Sequence, residues 1–152
     1  MKERELFRGW PIKQLLLPDK NRIICTYAWD GTEPDRSLYE ANHNVFRLNA
    51  AGEVIWQVRR DDSNHPTDWW EGLHDHARAR GLDGARMPFT YISVEYSDGA
   101  TSGDDTSYDW RDRCDWRPGC TVWLSGSAYQ QYILDPETGI AKNVTDWPVR
   151  PW

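Results

Sequence analysis

One turn chemistry occurs twice in this chain, and it limits the possible folds more than any other feature. Leu48-Asn49-Ala50-Ala51-Gly52-Glu53-Val54-Ile55 and Leu134-Asp135-Pro136-Glu137-Thr138-Gly139-Ile140-Ala141 follow the same order. Each runs from an apolar residue through Asn or Asp to Gly and then into an apolar stretch. Asn and Asp hydrogen-bond to backbone two residues on, and Gly adopts the positive φ that closes a short connection between antiparallel strands. The flanks agree with a hairpin. Phe46 and Leu48 alternate with polar neighbours before the first turn, as do Val54, Trp56 and Val58 after it, which predicts half-buried strands.

Further strand signals extend the pattern on both sides. Leu15-Leu16-Leu17 meets the turn Pro18-Asp19-Lys20-Asn21, and Arg22 to Trp29 follows as a β-branched and aromatic run. In the second half, Phe89 to Tyr96 reads as a strand ending at Ser97-Asp98-Gly99. Thr121 to Leu124 and Tyr129 to Leu134 flank Ser125-Gly126-Ser127. The expected architecture is a single domain over residues 1–152, mainly β with a minor α part (α+β minor). Two related antiparallel four-stranded meanders, near 15–59 and 88–145, pack as a sandwich or one curled sheet.

These hairpins carry a resemblance. Leu-Asp-Pro-Glu-Thr-Gly before a strand resembles the outer hairpin of blades in quinoprotein-type and WD-like β-propellers. The similar copy that ends in Trp56 has the Trp that often closes such a blade. The resemblance covers two hairpins only and implies one four-stranded meander per copy. A closed propeller takes roughly four to eight blades. Two copies cannot build that ring, so the ring and a cofactor at its centre are not carried over, and no cofactor is expected.

One segment breaks the β pattern. Pro66 to Gly81 predicts a short helix near 68–80, with Asp68 as cap, Glu71 three residues on and Gly81 just beyond the end. Trp69 or Trp70, Leu73, Ala77 and Arg80 form one stripe. Gly72 inside it costs about 1 kcal/mol relative to Ala.

Composition narrows the partners. The net charge is -6, and the basic clusters are short, such as Arg59-Arg60 and Arg78 to Arg80. That balance argues against nucleic acid, which demands a positive face, and against anionic membranes, while permitting a basic protein partner. No run approaches the roughly 18 apolar residues of a membrane-spanning helix. Met1 to Glu5 is mixed in charge and leads into no apolar leader region. Three cysteines, an odd number, suit a reducing compartment, and the expected location is cytoplasmic.

Four groups of residues are candidates for chemistry. His65, His74 and His76 lie among Asp68, Glu71 and Asp75 and are metal-ligand types. Residues two apart on a helix point about 200° away from each other, so a helix here keeps His74 and His76 from sharing an ion. The expected reading is a solvated helix face with one His packed beside a Trp rather than a metal site. The long segment from Asp98 to Asp115 holds six Asp, at 98, 104, 105, 109, 112 and 115. Its spacing differs from the twelve-residue calcium loop, and Arg111, Arg113 and Arg117 interleave. Cys114 and Cys120 are too widely spaced for a paired zinc motif. They read as two free thiols sooner than as a bridge closing the loop. Cys25 reads as core.

The last group is aromatic. Ten Trp exceed the needs of a core this size, and Trp69, Trp70, Trp110 and Trp116 flank polar loops beside Arg111 and Arg113. Exposed Trp and Tyr beside Arg mark recognition surfaces. The leading expectation is therefore a non-enzymatic protein-interaction module, a stand-alone domain of bacterial type that docks or neutralises a basic partner through these loops. The alternatives are a metal-dependent enzyme at His65, His74 and His76, or a small-molecule or carbohydrate binder using the same aromatics. A homo-oligomer would be another way to cover an exposed face. Any function is expected in the two inserted segments, near 61–87 and 98–120.

Overall fold

Both turns form as their residues direct. Asn49 Oδ1 accepts hydrogen bonds from the backbone N–H of Ala51 at 2.9 Å and of Glu53 at 3.0 Å, and Gly52 takes φ +82°. In the second turn Asp135 Oδ1 accepts from the N–H of Glu137 at 2.9 Å, and Gly139 takes φ +78°. The computed structural model describes residues 12–26, 37–101, 113–127 and 129–146.

Among these residues the chain forms ten strands and two helices. The strands are β1 (Ile12–Leu16), β2 (Arg22–Thr26), β3 (Val45–Leu48), β4 (Val54–Gln57), β5 (Arg59–Asp61), β6 (Phe89–Glu95), β7 (Arg113–Asp115), β8 (Thr121–Gly126), β9 (Gln131–Leu134) and β10 (Ile140–Asn143). The helices are α1 (Leu38–Asn42) and α2 (Trp69–Ala79). Two five-stranded sheets result, ordered β4-β3-β2-β1-β7 and β5-β10-β9-β8-β6. Four strands in each are antiparallel neighbours. The mainly β, two-meander architecture is thus present.

The fifth strand of each sheet comes from the other half of the chain and pairs in parallel. β5 adds beside β10, with Arg60 opposite Ala141, and β7 adds beside β1, with Cys114 opposite Leu15. This exchange ties the sheets together through backbone hydrogen bonds in addition to side-chain packing. One buried cluster then draws on both sheets: Leu15, Ile23, Cys25 and Val45 from the first meet Phe89, Ile92, Val94, Val122, Leu124 and Tyr132 from the second.

β3 departs from the half-buried expectation, because all four of its residues are buried. Val45 faces the shared core, whereas Phe46 and Leu48 pack with Ile24 and Val54 in a second cluster. Arg47 is buried because its guanidinium has acceptors at hand, the Pro136 carbonyl and Asp19 Oδ2, each at 2.8 Å. Asp68 precedes α2 as expected but makes no side-chain capping bond. Trp69, Leu73 and Ala77 are the buried stripe of that helix, and Arg80 is exposed.

Two asparagines fasten the start of β6 to the first half. Asn42 donates to the Ala85 carbonyl at 2.8 Å and accepts from Met87 N–H. Asn44 accepts from Phe89 N–H at 2.9 Å, and its Nδ2 donates to the carbonyls of Phe89, at 2.7 Å, and Thr26. Buried backbone groups stripped of such a partner keep their desolvation cost. Asn44→Ala is expected to lower stability by about 2–3 kcal/mol, measured as a lower urea midpoint. A loss under about 0.5 kcal/mol would show that other groups replace the clamp.

Candidate functional site

A pocket of about 610 Å³ opens where α1, the segment after β5 and α2 meet. Three short pieces of sequence build its walls. α1 is started by Ser37, whose Oγ accepts from Glu40 N–H at 3.1 Å, and it presents Tyr39, Asn42 and His43. β5 and the residues after it bring Arg60, Asp62, Ser63, His65 and Thr67. α2 contributes Trp69, Trp70 and His74. The aromatic rings come in flat pairs. His43 stacks on Tyr39 at 3.9 Å between centroids, and His65 stacks on Trp69 at 3.9 Å with an interplanar angle of 7°.

Part of the pocket wall is a polar network centred on Arg60. Its Nε donates to the Asn42 carbonyl at 2.7 Å, one terminal nitrogen to the Tyr132 hydroxyl at 2.8 Å, and the other to the Met87 carbonyl. The guanidinium carbon sits 4.0 Å from the Phe89 ring centroid and 5.3 Å from that of Trp70. Cation–π contact offsets part of the lost hydration. Burial still depresses the Arg60 pKa, and Tyr132 and Asp62 act against that.

Tyr132 links the two charges, donating from its hydroxyl to Asp62 Oδ1 at 2.7 Å. Burial is the largest cause holding its phenol well above the ordinary range, so the donor keeps its proton. Asp62 Oδ1 also accepts from Asn143 at 2.9 Å, and Oδ2 accepts from Trp70 Nε1 at 2.7 Å. Asn143 donates onward to Gln130 Oε1 at 2.8 Å, which lies 2.8 Å from His65 Nε2.

The histidines are oriented by backbone. His74 Nδ1 accepts from Ala85 N–H at 3.0 Å, which places its proton on Nε2. His43 Nδ1 lies 2.8 Å from the Tyr39 carbonyl and must donate to it, so in the neutral ring Nε2 is an acceptor. Burial lowers the His43 pKa, opposed by that backbone bond and helped by the charge of Arg60. The sign follows directly. In the unfolded chain His43 titrates near 6.5, so just below that pH the unfolded state binds more protons and stability falls as pH falls. His43→Gln is expected to flatten the decline that sets in below about pH 6.5, measured as unfolding midpoint against pH. Parallel wild-type and variant curves would refute it.

Of the residues singled out in the sequence, His65, His74, Trp69 and Trp70 meet in this pocket. Trp69 is only 8% exposed and belongs to the cluster of Leu73 and Met87 under α2. Trp116 packs elsewhere, half-buried against the core shared by the sheets. Trp110 and Arg111, the Arg113 side chain and most of the acidic segment 98–115 lie outside the described residues. His76 is on α2 but does not line the pocket. Among the described residues no group of three or more His, Cys, Asp or Glu is placed to hold a metal ion. Cys25 is buried in the core, as expected, and its Sγ donates to the Phe89 carbonyl at 3.4 Å.

Sequence reasoning missed Arg60, Asp62, Tyr132, Gln130 and Asn143. No local signal marks them, because each finds its partners across the sheet. No family model, curated protein or solved structure matches the chain. No helix of the described residues is long and apolar enough to cross a membrane.

Proposed function

We propose that this protein is a binding module whose ligand is a small molecule seated between α1 and α2. The pocket itself carries that reading. Its volume falls in the range of small-molecule sites, roughly 300–1,000 Å³, and aromatic walls around a few convergent polar groups are what such sites use. Binding is favoured over catalysis because Arg60, Asp62, His65 and His74 are already engaged in holding their neighbours. Docking of a basic protein through Trp69, Trp70, Trp116 and the loop arginines is the competing proposal. It has less support, since Trp69 is buried and Trp116 packs against the core away from α2. The odd number of cysteines, three, favours a reducing compartment, hence the cytoplasm.

Thr67 is exposed on the rim, so Thr67→Trp should fill the pocket while leaving the fold intact. Ligand-observed NMR against a set of small ring compounds is expected to give binders to the wild type that weaken at least about tenfold with Thr67→Trp. A set in which nothing binds, or in which binders ignore the substitution, would remove this reading.

A further inference from the structure

We infer that the ligand is an uncharged planar heteroaromatic ring carrying a hydrogen-bond donor and an acceptor on neighbouring edge atoms, as a nucleobase does. The inference rests on the pocket being a ligand seat and specifies what sits there.

The walls favour a flat ring. Two stacked pairs, Tyr39 with His43 and Trp69 with His65, line the cavity with flat rings. Stacking of a planar ring on such faces contributes about 1–3 kcal/mol per ring. The charges favour a neutral one. Arg60 and Asp62 are opposite charges lining the same cavity. An anion entering beside Asp62, or a cation entering beside Arg60, would lose water and meet a like charge.

What the pair still offers is complementary. Arg60 has five N–H groups, and three have partners among the described residues. Asp62 Oδ2 accepts one bond, from Trp70, and retains a second lone pair. Two N–H groups of Arg60 and one lone pair of Asp62 Oδ2 thus remain on side chains that line the same cavity. Two histidines of the same wall add one of each, a proton on His74 Nε2 and, in neutral His43, a lone pair on Nε2. A lactam or amino-imine edge satisfies one donor and one acceptor at once. A carboxylate offers acceptors only, and an alkylammonium donors only.

The test is calorimetric titration of the full chain with adenine and uracil, with benzoate and indole-acetate as charged aromatics, and with glucose as a non-aromatic ring. Adenine or uracil is expected to bind and to weaken at least about tenfold with Thr67→Trp. Methylation of its edge nitrogen should weaken it comparably, because buried polar partners are then left unpaired. Affinity should change less than about twofold from about 50 mM to 500 mM salt, as no net charge is paired. If benzoate or glucose binds and the bases do not, this inference falls while the pocket reading stands. If the edge-methylated bases bind as tightly as their parents, it falls as well. If none of the probes binds, both fall together.

Discussion

Arg60→Met is expected to destabilise the protein by about 3–5 kcal/mol, the cost of breaking a buried charged network by removing one partner. Methionine fills a similar unbranched volume, so the loss would come mainly from the polar atoms left behind. The carbonyls of Asn42 and Met87 lose their donor, and the Tyr132 hydroxyl loses one of its two partners. Asp62 is left without the nearby cation. Arg60→Lys should recover little, because a single ammonium cannot serve three acceptors disposed around a planar fork. Urea unfolding of Arg60→Met, Asp62→Asn and the double variant tests the network as a unit. The double is expected to cost clearly less than the sum of the singles, since removing both charges leaves neither uncompensated. An Arg60→Met loss below about 1 kcal/mol would show that the guanidinium does not hold these elements together.

The position of Arg60 also shows why part of this fold was legible and part was not. The paired turns were readable because their chemistry is local: Asn49 and Asp135 bond to backbone two residues away, and Gly52 and Gly139 supply the positive φ. α2 was readable because Trp69, Leu73 and Ala77 recur at helical spacing. β5 and β7 were not. Each is three residues long, and each is a strand only because a distant edge offers it parallel partners. Nothing in Arg59-Arg60-Asp61 alternates or favours extended backbone. α1 escaped notice for the same reason of length, having five residues and a single Ser cap.

The candidate site divides in the same way. Its aromatic and imidazole walls stood out by residue type, since His65, Trp69, Trp70 and His74 fall within one short stretch. The charges behind them did not, because Arg60 and Tyr132 are 72 positions apart and Asp62 and Asn143 are 81 apart. A pattern along the chain cannot reveal a pairing that only the parallel addition of β5 to β10 creates. Two of the four Trp expected to share one docking surface, Trp69 and Trp116, illustrate the converse. Residue type suggested exposure, but Trp69 has Leu73 and Met87 to pack on and Trp116 has the core, and apolar area goes where it can be buried.

Gly139→Ala is expected to cost about 2–4 kcal/mol, and its origin can be separated into two parts. One part is backbone. At φ +78° a residue with Cβ pays about 1–2 kcal/mol that glycine avoids. Gly81, at φ +85° with nothing within 4 Å of an added Cβ, isolates that part, so Gly81→Ala should show it alone. The other part is contact. A Cβ at Gly139 would lie 2.7 Å from Trp56 Cδ2 and 2.9 Å from Cε3. The indole cannot swing aside freely, because its Nε1 donates to the Pro136 carbonyl at 2.9 Å, the same oxygen that Arg47 reaches. The turn of one hairpin is therefore closed over the Trp of the other, and glycine is required there for space as well as for φ. In a Trp56→Ala background the cost of Gly139→Ala should fall to that of Gly81→Ala. Equal costs for the two glycines in the wild type would mean that Trp56 yields easily, and the docking of the two hairpins would then contribute little to holding the sheets together.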